Sequence, residues 1–256
     1  GFQMNDPVFR DINVRKAFSF AIDKVKILEY VLNGEGYEAG IYGITPPTFK
    51  GYDVTKIKGY SLNVDSANYY LTKAGFPNGK GFPKKTLDVN PGAERNINVA
   101  IEVQKQLKDN LNVNIEINRV PMTSHVENMQ KGKTAFFRLA WRADIPVAQN
   151  FLSILYGKDV PASMEEESFP NIMRYKNSKF DMLYEKGLAA STIEEANEYF
   201  LQAEQVAMND APFIAVWYDE GFRLLQSYVQ DFPNNPMQYR DYSSVFIEPI
   251  KQLKEN

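Results

Sequence analysis

Arg138, Trp141 and Asp144 fall within one short stretch, Phe136-Phe137-Arg138-Leu139-Ala140-Trp141-Arg142-Ala143-Asp144, and together supply a cation, a flat apolar wall and an anion. A small zwitterion would suit such a trio. Each member also has a purely structural reading. Trp141 can be core, Asp144 can cap a helix starting near Val147, and Arg138 inside an apolar run needs a partner whatever its role, because an unpaired buried guanidinium is very costly.

The elements that position the trio follow from periodicity. Phe136 to Leu139 is aromatic or branched and reads as a buried strand, part of a longer strand over 134–141 that Pro146 stops. In an open α/β sheet, ligands sit beyond the carboxyl ends of strands, which is where the trio falls. Upstream, 86–89 alternates as a strand, Val99, Val103 and Leu107 repeat at helical spacing, and 112–120 alternates again through Val113, Ile115 and Ile117. Strand, helix, strand predicts a right-handed crossover with parallel pairing. A short helix over 123–131, ended by Gly132, then leads into the strand of the trio.

Further helices are predicted at 12–21 with Asp11 as N-cap, 24–32 with Asp23 as N-cap, 65–74 closed by Gly75, 150–156, 180–189 and 193–208. Strands are predicted at 213–218 and 222–225, with another at 244–247. The stretches 40–58 and 158–177 read as loops, the second as a solvated one around Glu165-Glu166-Glu167, and His125 reads as a surface residue of a polar helix.

Composition narrows the function classes. With 256 residues, 44% hydrophobic and 24% charged, the chain has the make-up of a soluble globular protein. A net charge of -3 without a Lys/Arg cluster argues against a nucleic-acid partner. With no cysteine and one histidine, zinc and thiolate chemistry have no ligand set, and no cofactor or metal is expected. No signal peptide or membrane span is read. The opening Gly1-Phe2-Gln3-Met4-Asn5 has the pattern of mid-strand, so a piece of a longer chain is expected.

In this order the segments resemble the carboxy-terminal half of the family 5 extracellular solute-binding proteins, the oligopeptide and dipeptide receptors of ABC importers. The likeness is carried by Asp11-Ile12-Asn13-Val14-Arg15-Lys16-Ala17-Phe18-Ser19-Phe20-Ala21-Ile22-Asp23, by Ala67 to Gly75, by Trp141-Arg142-Ala143-Asp144, by Tyr175, Asn177, Phe180 and Asp181, and by Ala203-Glu204 with Asp210-Ala211-Pro212. It implies an α/β fold, a periplasmic-binding-protein-like (type II) lobe with a mixed, largely parallel central sheet flanked by helices. It also implies that Asp144 meets a peptide amine, that Trp141 is the neighbouring wall, and that Arg138 contacts the peptide's carboxylate or backbone. Val147-Ala148 stands where the family often has an acidic residue and a proline, and Asn197 where it usually has an arginine; the second change is expected to affect packing.

The resulting expectation is a non-enzymatic receptor that holds short peptides between two lobes for a membrane ABC permease. Residues 1–229 form the second lobe, 230–256 a tail packing toward the hinge or an amino-terminal lobe absent from this sequence. Its setting is periplasmic or extracytoplasmic, with a lipid anchor, if there is one, outside this chain. Rival readings are a receptor for a nickel complex or a sugar, a carboxylate-dependent hydrolase, and a sensor or chaperone subunit. No G-x-S-x-G, H-E-x-x-H or P-loop motif supports the hydrolase.

Overall fold

The computed structural model describes residues 1–233 and 241–248. The chain opens with α1 (Ile12–Ala21), α2 (Lys24–Lys26), which widens into a π-turn over Ile27–Val31, and β1 (Glu38–Ala39). Asp11 caps α1 by accepting from Asn13 N at 2.8 Å, and Asp23 caps α2 by accepting from Lys26 N at 2.9 Å. After a loop come α3 (Val64–Lys73), β2 (Lys85–Val89), α4 (Glu94–Leu111), β3 (Ile115–Arg119), α5 (Met122–Gln130) and β4 (Phe136–Phe137). Gly75 and Gly132 end α3 and α5 with φ of 91° and 64°, backbone that favours glycine. The second half holds α6 (Ala148–Leu152), α7 (Ser178–Ala189), α8 (Ile193–Asp210), β5 (Trp217–Tyr218), β6 (Val229–Gln230) and β7 (Phe246–Ile247).

The central sheet has the order β3-β2-β4, with β2 parallel to both neighbours. An antiparallel bridge from Phe2 to Phe136 makes it mixed. Because side chains alternate along a strand, the adjacent Phe136 and Phe137 enter different cores. Phe136 stacks on Phe2 (5.0 Å between centroids) in a core with α1, α3 and α4, whereas Phe137 joins a second core with α6, α7 and α8. The run is therefore buried on both faces, as its composition predicts.

Two polar anchors join the distant ends of the chain. Arg15, buried in α1, donates to the carbonyls of Phe9 and Asp210 at 2.7 Å each, while Asp210 Oδ2 accepts from Tyr175 Oη (2.7 Å) and Asn177 Nδ2 (2.6 Å). Glu204 of α8, fully buried, accepts from Ile44 N (2.5 Å), Thr45 N (2.9 Å), Thr45 Oγ1 (2.8 Å) and the Tyr52 hydroxyl, which pins the 40–58 loop to the body. Burial pushes this carboxyl up. Asn197 donates to Gly51 O at 3.1 Å, a packing role for the same loop.

Several expected elements differ. The strand over 134–141 is laddered only at Phe136–Phe137, with one more bond from Arg138 N to Asp88 O (2.9 Å), because its partner β2 turns away at Asn90-Pro91 into α4. Of 213–218 only Trp217–Tyr218 is a strand, paired antiparallel with β1, and 222–225 forms none. The helix expected at 150–156 is α6 followed by a 3₁₀ turn at Ser153–Leu155. Within the loop taken as solvated, Ile172, Met173 and Tyr175 are core, and the buried Asn171 and Arg174 bond to backbone carbonyls; Glu165 to Glu167 are exposed. Of the tail, 234–240 and 249–256 lie outside the described residues, and β6 and β7 pair antiparallel.

Candidate functional site

In the order β3-β2-β4 the chain leaves β2 through α4 toward β3, while β4 lies on the other side of β2. A crevice follows at the carboxyl ends of β2 and β4. Asn90 and Arg138 are the first residues beyond those two ends, and they meet: Arg138 Nη1 donates to Asn90 Oδ1 at 2.9 Å. Asn96, in the first turn of α4, donates to Asn90 O at 3.3 Å. Two buried atoms here have no partner, Arg138 Nε and Asn96 Oδ1. Arg138 makes no ion pair among the described residues; burial lowers its pKa, the neighbouring Arg95 lowers it further, and Asp219 opposes both.

His125 lies beneath this corner, 1% exposed, and its Nε2–H donates to Arg138 O at 2.8 Å. The surface assignment was mistaken because His125 and Met129 occupy one face of α5 at i, i+4, and that face is buried. Burial pushes the imidazole pKa down.

A cavity of about 230 Å³ opens between the 136–141 stretch and residues 213–219. Its rim carries half-buried apolar side chains, among them Ile44, Pro46, Leu139, Trp141, Ile214 and Val216. The buried Phe151 and Ile154 line it as well. Trp141 is held in place by its indole Nε1–H, which donates to Asn150 O (3.1 Å) and Oδ1 (3.0 Å), so its ring serves as a fixed wall. At the polar end, Arg95 grips Asp219 through two bonds of 3.1 and 2.7 Å.

Of the predicted trio, Arg138 and Trp141 line this cavity, whereas Asp144 lies outside it and is exposed. Asp144 does not cap α6: the N-cap is Val147, without a side-chain bond. It has no ion pair among the described residues. What the arrangement offers chemically is recognition: a rigid apolar recess with a donor and an acceptor at one end, and a separate solvated carboxylate. Among the described residues no group of three or more His, Cys, Asp or Glu is placed to hold a metal, and no helix is long and apolar enough to cross a membrane.

Asn90, Asn96, Arg95, Trp217 and Asp219 escaped the sequence reading. Asn90 had a signal, since Asn-Pro-Gly directly after an alternating strand marks the strand's carboxyl end. Asp219 had none, because its partner Arg95 is remote in sequence.

The family model for bacterial extracellular solute-binding proteins, family 5 Middle, matches residues 1–162. Heme-binding protein A of Haemophilus influenzae is 26% identical over 96% of this chain and 44% of its own length, and the probable deoxycholate-binding periplasmic protein YgiS of Escherichia coli is 25% identical over 96% and 44%. The periplasmic oligopeptide-binding protein OppA of Salmonella typhimurium is 25% identical over 86% of this chain and 39% of its own. The chain thus spans less than half the length of these curated relatives. In fold it matches the periplasmic binding protein DppA of Helicobacter pylori, solved with the peptide STSA, with a TM-score of 0.81 over 97% of this chain and 46% of that one at 23% identity. A match of similar quality, TM-score 0.81 over 96% and 47%, is to the murein tripeptide binding protein MppA of Escherichia coli. The α/β fold is that of a type II periplasmic binding protein, and the chain belongs to the bacterial extracellular solute-binding proteins, family 5.

Proposed function

We propose that this chain is one lobe of the peptide-binding component of an ABC importer, working outside the cytoplasm and delivering its ligand to a membrane permease. The observation that carries the reading is Asp144: an exposed carboxylate without an ion pair among the described residues, just past the strand end that presents Trp141 and Arg138. A peptide's free amine would meet Asp144, and its carboxylate or backbone would meet Arg138. The relatives named for oligopeptides and murein peptides support the same class.

Magnitude requires a second wall. An ion pair left in solvent is worth at most about 1 kcal/mol, too little for capture, whereas a desolvated charge-assisted bond is roughly twice as strong as a neutral one. An opposing lobe closing over the site would desolvate it, and the ligand would stabilise the closed form by binding it better than the open one. The exposed Phe222, Leu224 and Ile247 would lie toward that lobe.

The test is a titration of the full-length protein and its Asp144→Asn variant with free-amine peptides and their N-acetylated counterparts. The expected result is a loss of tenfold or more for free-amine peptides and little change for acetylated ones. Equal losses for both would refute Asp144 as the anchor, and cleaved peptides in the reaction would refute a receptor. A second reading, a receptor for a non-peptide amphipathic solute, is favoured by the apolar cavity together with the relatives named for heme and deoxycholate. Retention of such a solute with no retention of peptides would decide for it.

A further inference from the structure

Asparagine is followed by glycine at two places in the chain, Asn33-Gly34 and Asn78-Gly79. Such a pair can react with itself. The glycine amide nitrogen, once deprotonated, attacks the asparagine Cγ to close a five-membered imide, and glycine hinders the approach least because it has no Cβ. Nucleophile and electrophile share one dipeptide, so the step is unimolecular. What separates the two sites is whether the peptide unit between the residues can turn far enough to bring nitrogen onto Cγ.

Both asparagines sit in the left-handed region, with φ of 52° at Asn33 and 51° at Asn78, which asparagine tolerates. Each glycine amide is hydrogen-bonded, Gly34 N to Leu28 O at 2.9 Å and Gly79 N to Phe76 O at 3.0 Å. The surroundings differ. The Asn78 turn is wedged against the end of α4: a Cβ on Gly79 would lie 2.6 Å from Asn112 O and 2.7 Å from Leu111 O, and Asn112 Nδ2 donates to Asn78 O at 3.2 Å. Bonds from Lys80 N to Pro77 O and from Phe82 N to Gly79 O, 3.1 Å each, fix the residues that follow. Asn33, Gly34 and Glu35 are exposed and follow the π-turn, and a Cβ on Gly34 would meet no atom within 4 Å among the described residues. Frayed ends of this kind open locally at small cost.

We propose that Asn33-Gly34 is a site of spontaneous covalent modification, at which the side-chain amide is lost and aspartate or isoaspartate replaces asparagine. In the first step the bond from Gly34 N to Asn33 Cγ forms and the Cγ–Nδ2 bond breaks. The proton given up by the Gly34 amide leaves with Nδ2 as ammonia. Water then opens the imide at one of its two C–N bonds. Cleavage at Cγ gives aspartate, and cleavage at the backbone carbonyl gives isoaspartate, whose chain runs through the side chain. Either product adds a carboxylate to a segment that already bears Glu35 and Glu38. The extra backbone atom of isoaspartate is taken up at Gly34 and Glu35, because the next residues are held: a Cβ on Gly36 would lie 2.8 Å from Leu28 Cδ1, and Tyr37 N donates to Tyr218 O at 2.8 Å. The pairing of β1 with β5 should therefore survive the change.

The experiment incubates the full-length protein at mildly alkaline pH, with and without urea, and follows both asparagines by peptide mapping and mass spectrometry. In the folded protein Asn33 should convert about tenfold faster than Asn78 or more, since turning the Asn78 peptide gives up at least one further hydrogen bond. In urea the two should convert at comparable rates, because only the dipeptide chemistry remains. An Asn33→Gln variant, which would have to close a six-membered ring, should accumulate acidic species more slowly than wild type. Conversion at Asn78 as fast as at Asn33 in the folded protein would overturn the inference. So would an Asn33 that stays intact in the folded protein while both sites react in urea. Should the variant not fold, the wild-type maps alone decide.

Discussion

Replacing Glu204 by Ala should loosen the wall of the cavity without touching the cavity itself. The carboxylate is the acceptor for the amides of Ile44 and Thr45 and for the hydroxyls of Thr45 and Tyr52, and Thr45 is fully buried. In the Ala variant the two hydroxyls can turn to other acceptors, but the two amides lose theirs, at about 1–3 kcal/mol each. Removing a buried carboxylate that has no ion pair among the described residues offsets part of this. A net loss of about 3 kcal/mol follows, or roughly 6–12 °C in Tm for a domain of this size. Glu204→Gln should cost only about 1 kcal/mol, since its Oε1 still accepts from the amides and its NH₂ can donate to the two hydroxyl oxygens. The assay pairs urea melts with amide hydrogen exchange at Ile44 and Thr45, which should exchange fast in Ala and stay protected in Gln. Because the folded state holds this carboxyl above its ordinary value of 4.5, the native protein binds the proton more readily than the unfolded chain. Wild-type stability relative to Gln should therefore fall as pH rises from about 4.5 toward the folded-state pKa. An Ala variant within 1 kcal/mol of wild type, or a Gln variant as damaged as Ala, would show that Glu204 does not pin this loop.

Three further outcomes follow from buried or paired charges. His125 is held below its ordinary 6.5 by burial, so the unfolded chain takes up the proton first and stability should drop as pH falls below about 6.5; His125→Gln should flatten that slope in pH-dependent melts. Burial drives the Lys24 ammonium from 10.5 down to about 7, with a single bond to Tyr60 O, so stability should rise between those values and Lys24→Met should abolish the rise with no loss at neutral pH. The Arg95–Asp219 pair is 38% and 52% exposed, so Asp219→Asn should cost under about 1 kcal/mol and nothing in molar salt, read from urea midpoints at two ionic strengths.

What could be read from sequence about the fold was what local interactions decide. Asp11 and Asp23 cap helices through bonds to amides two or three residues on, and Gly75 and Gly132 end them through backbone geometry, so each announces itself within a turn. The βαβ unit of β2, α4 and β3 was equally plain from its change of period. Strand extents were not, because a ladder needs a partner: β4 stops when β2 turns into α4, and 213–216 stands across a cavity from β4. Polarity misled at His125, Asn171 and Arg174, which are buried and bond to backbone carbonyls.

The same distinction explains why the resemblance speaks more clearly of architecture than of ligand. Arg15, Tyr175, Asn177 and Asp210, taken from three separate motifs, converge in one hydrogen-bonded cluster, and Glu204, from the same motif as Asp210, holds a loop. These polar groups are costly to change because their partners are buried and fixed. The cavity rim is different. Ile44, Leu139, Ile214 and Val216 pack on the cores with one side and border an open space with the other, so exchanging one apolar side chain for another there costs less than in a sealed core. The rim and the exposed Asp144 beyond it are thus held by fewer fixed partners than the motif residues are.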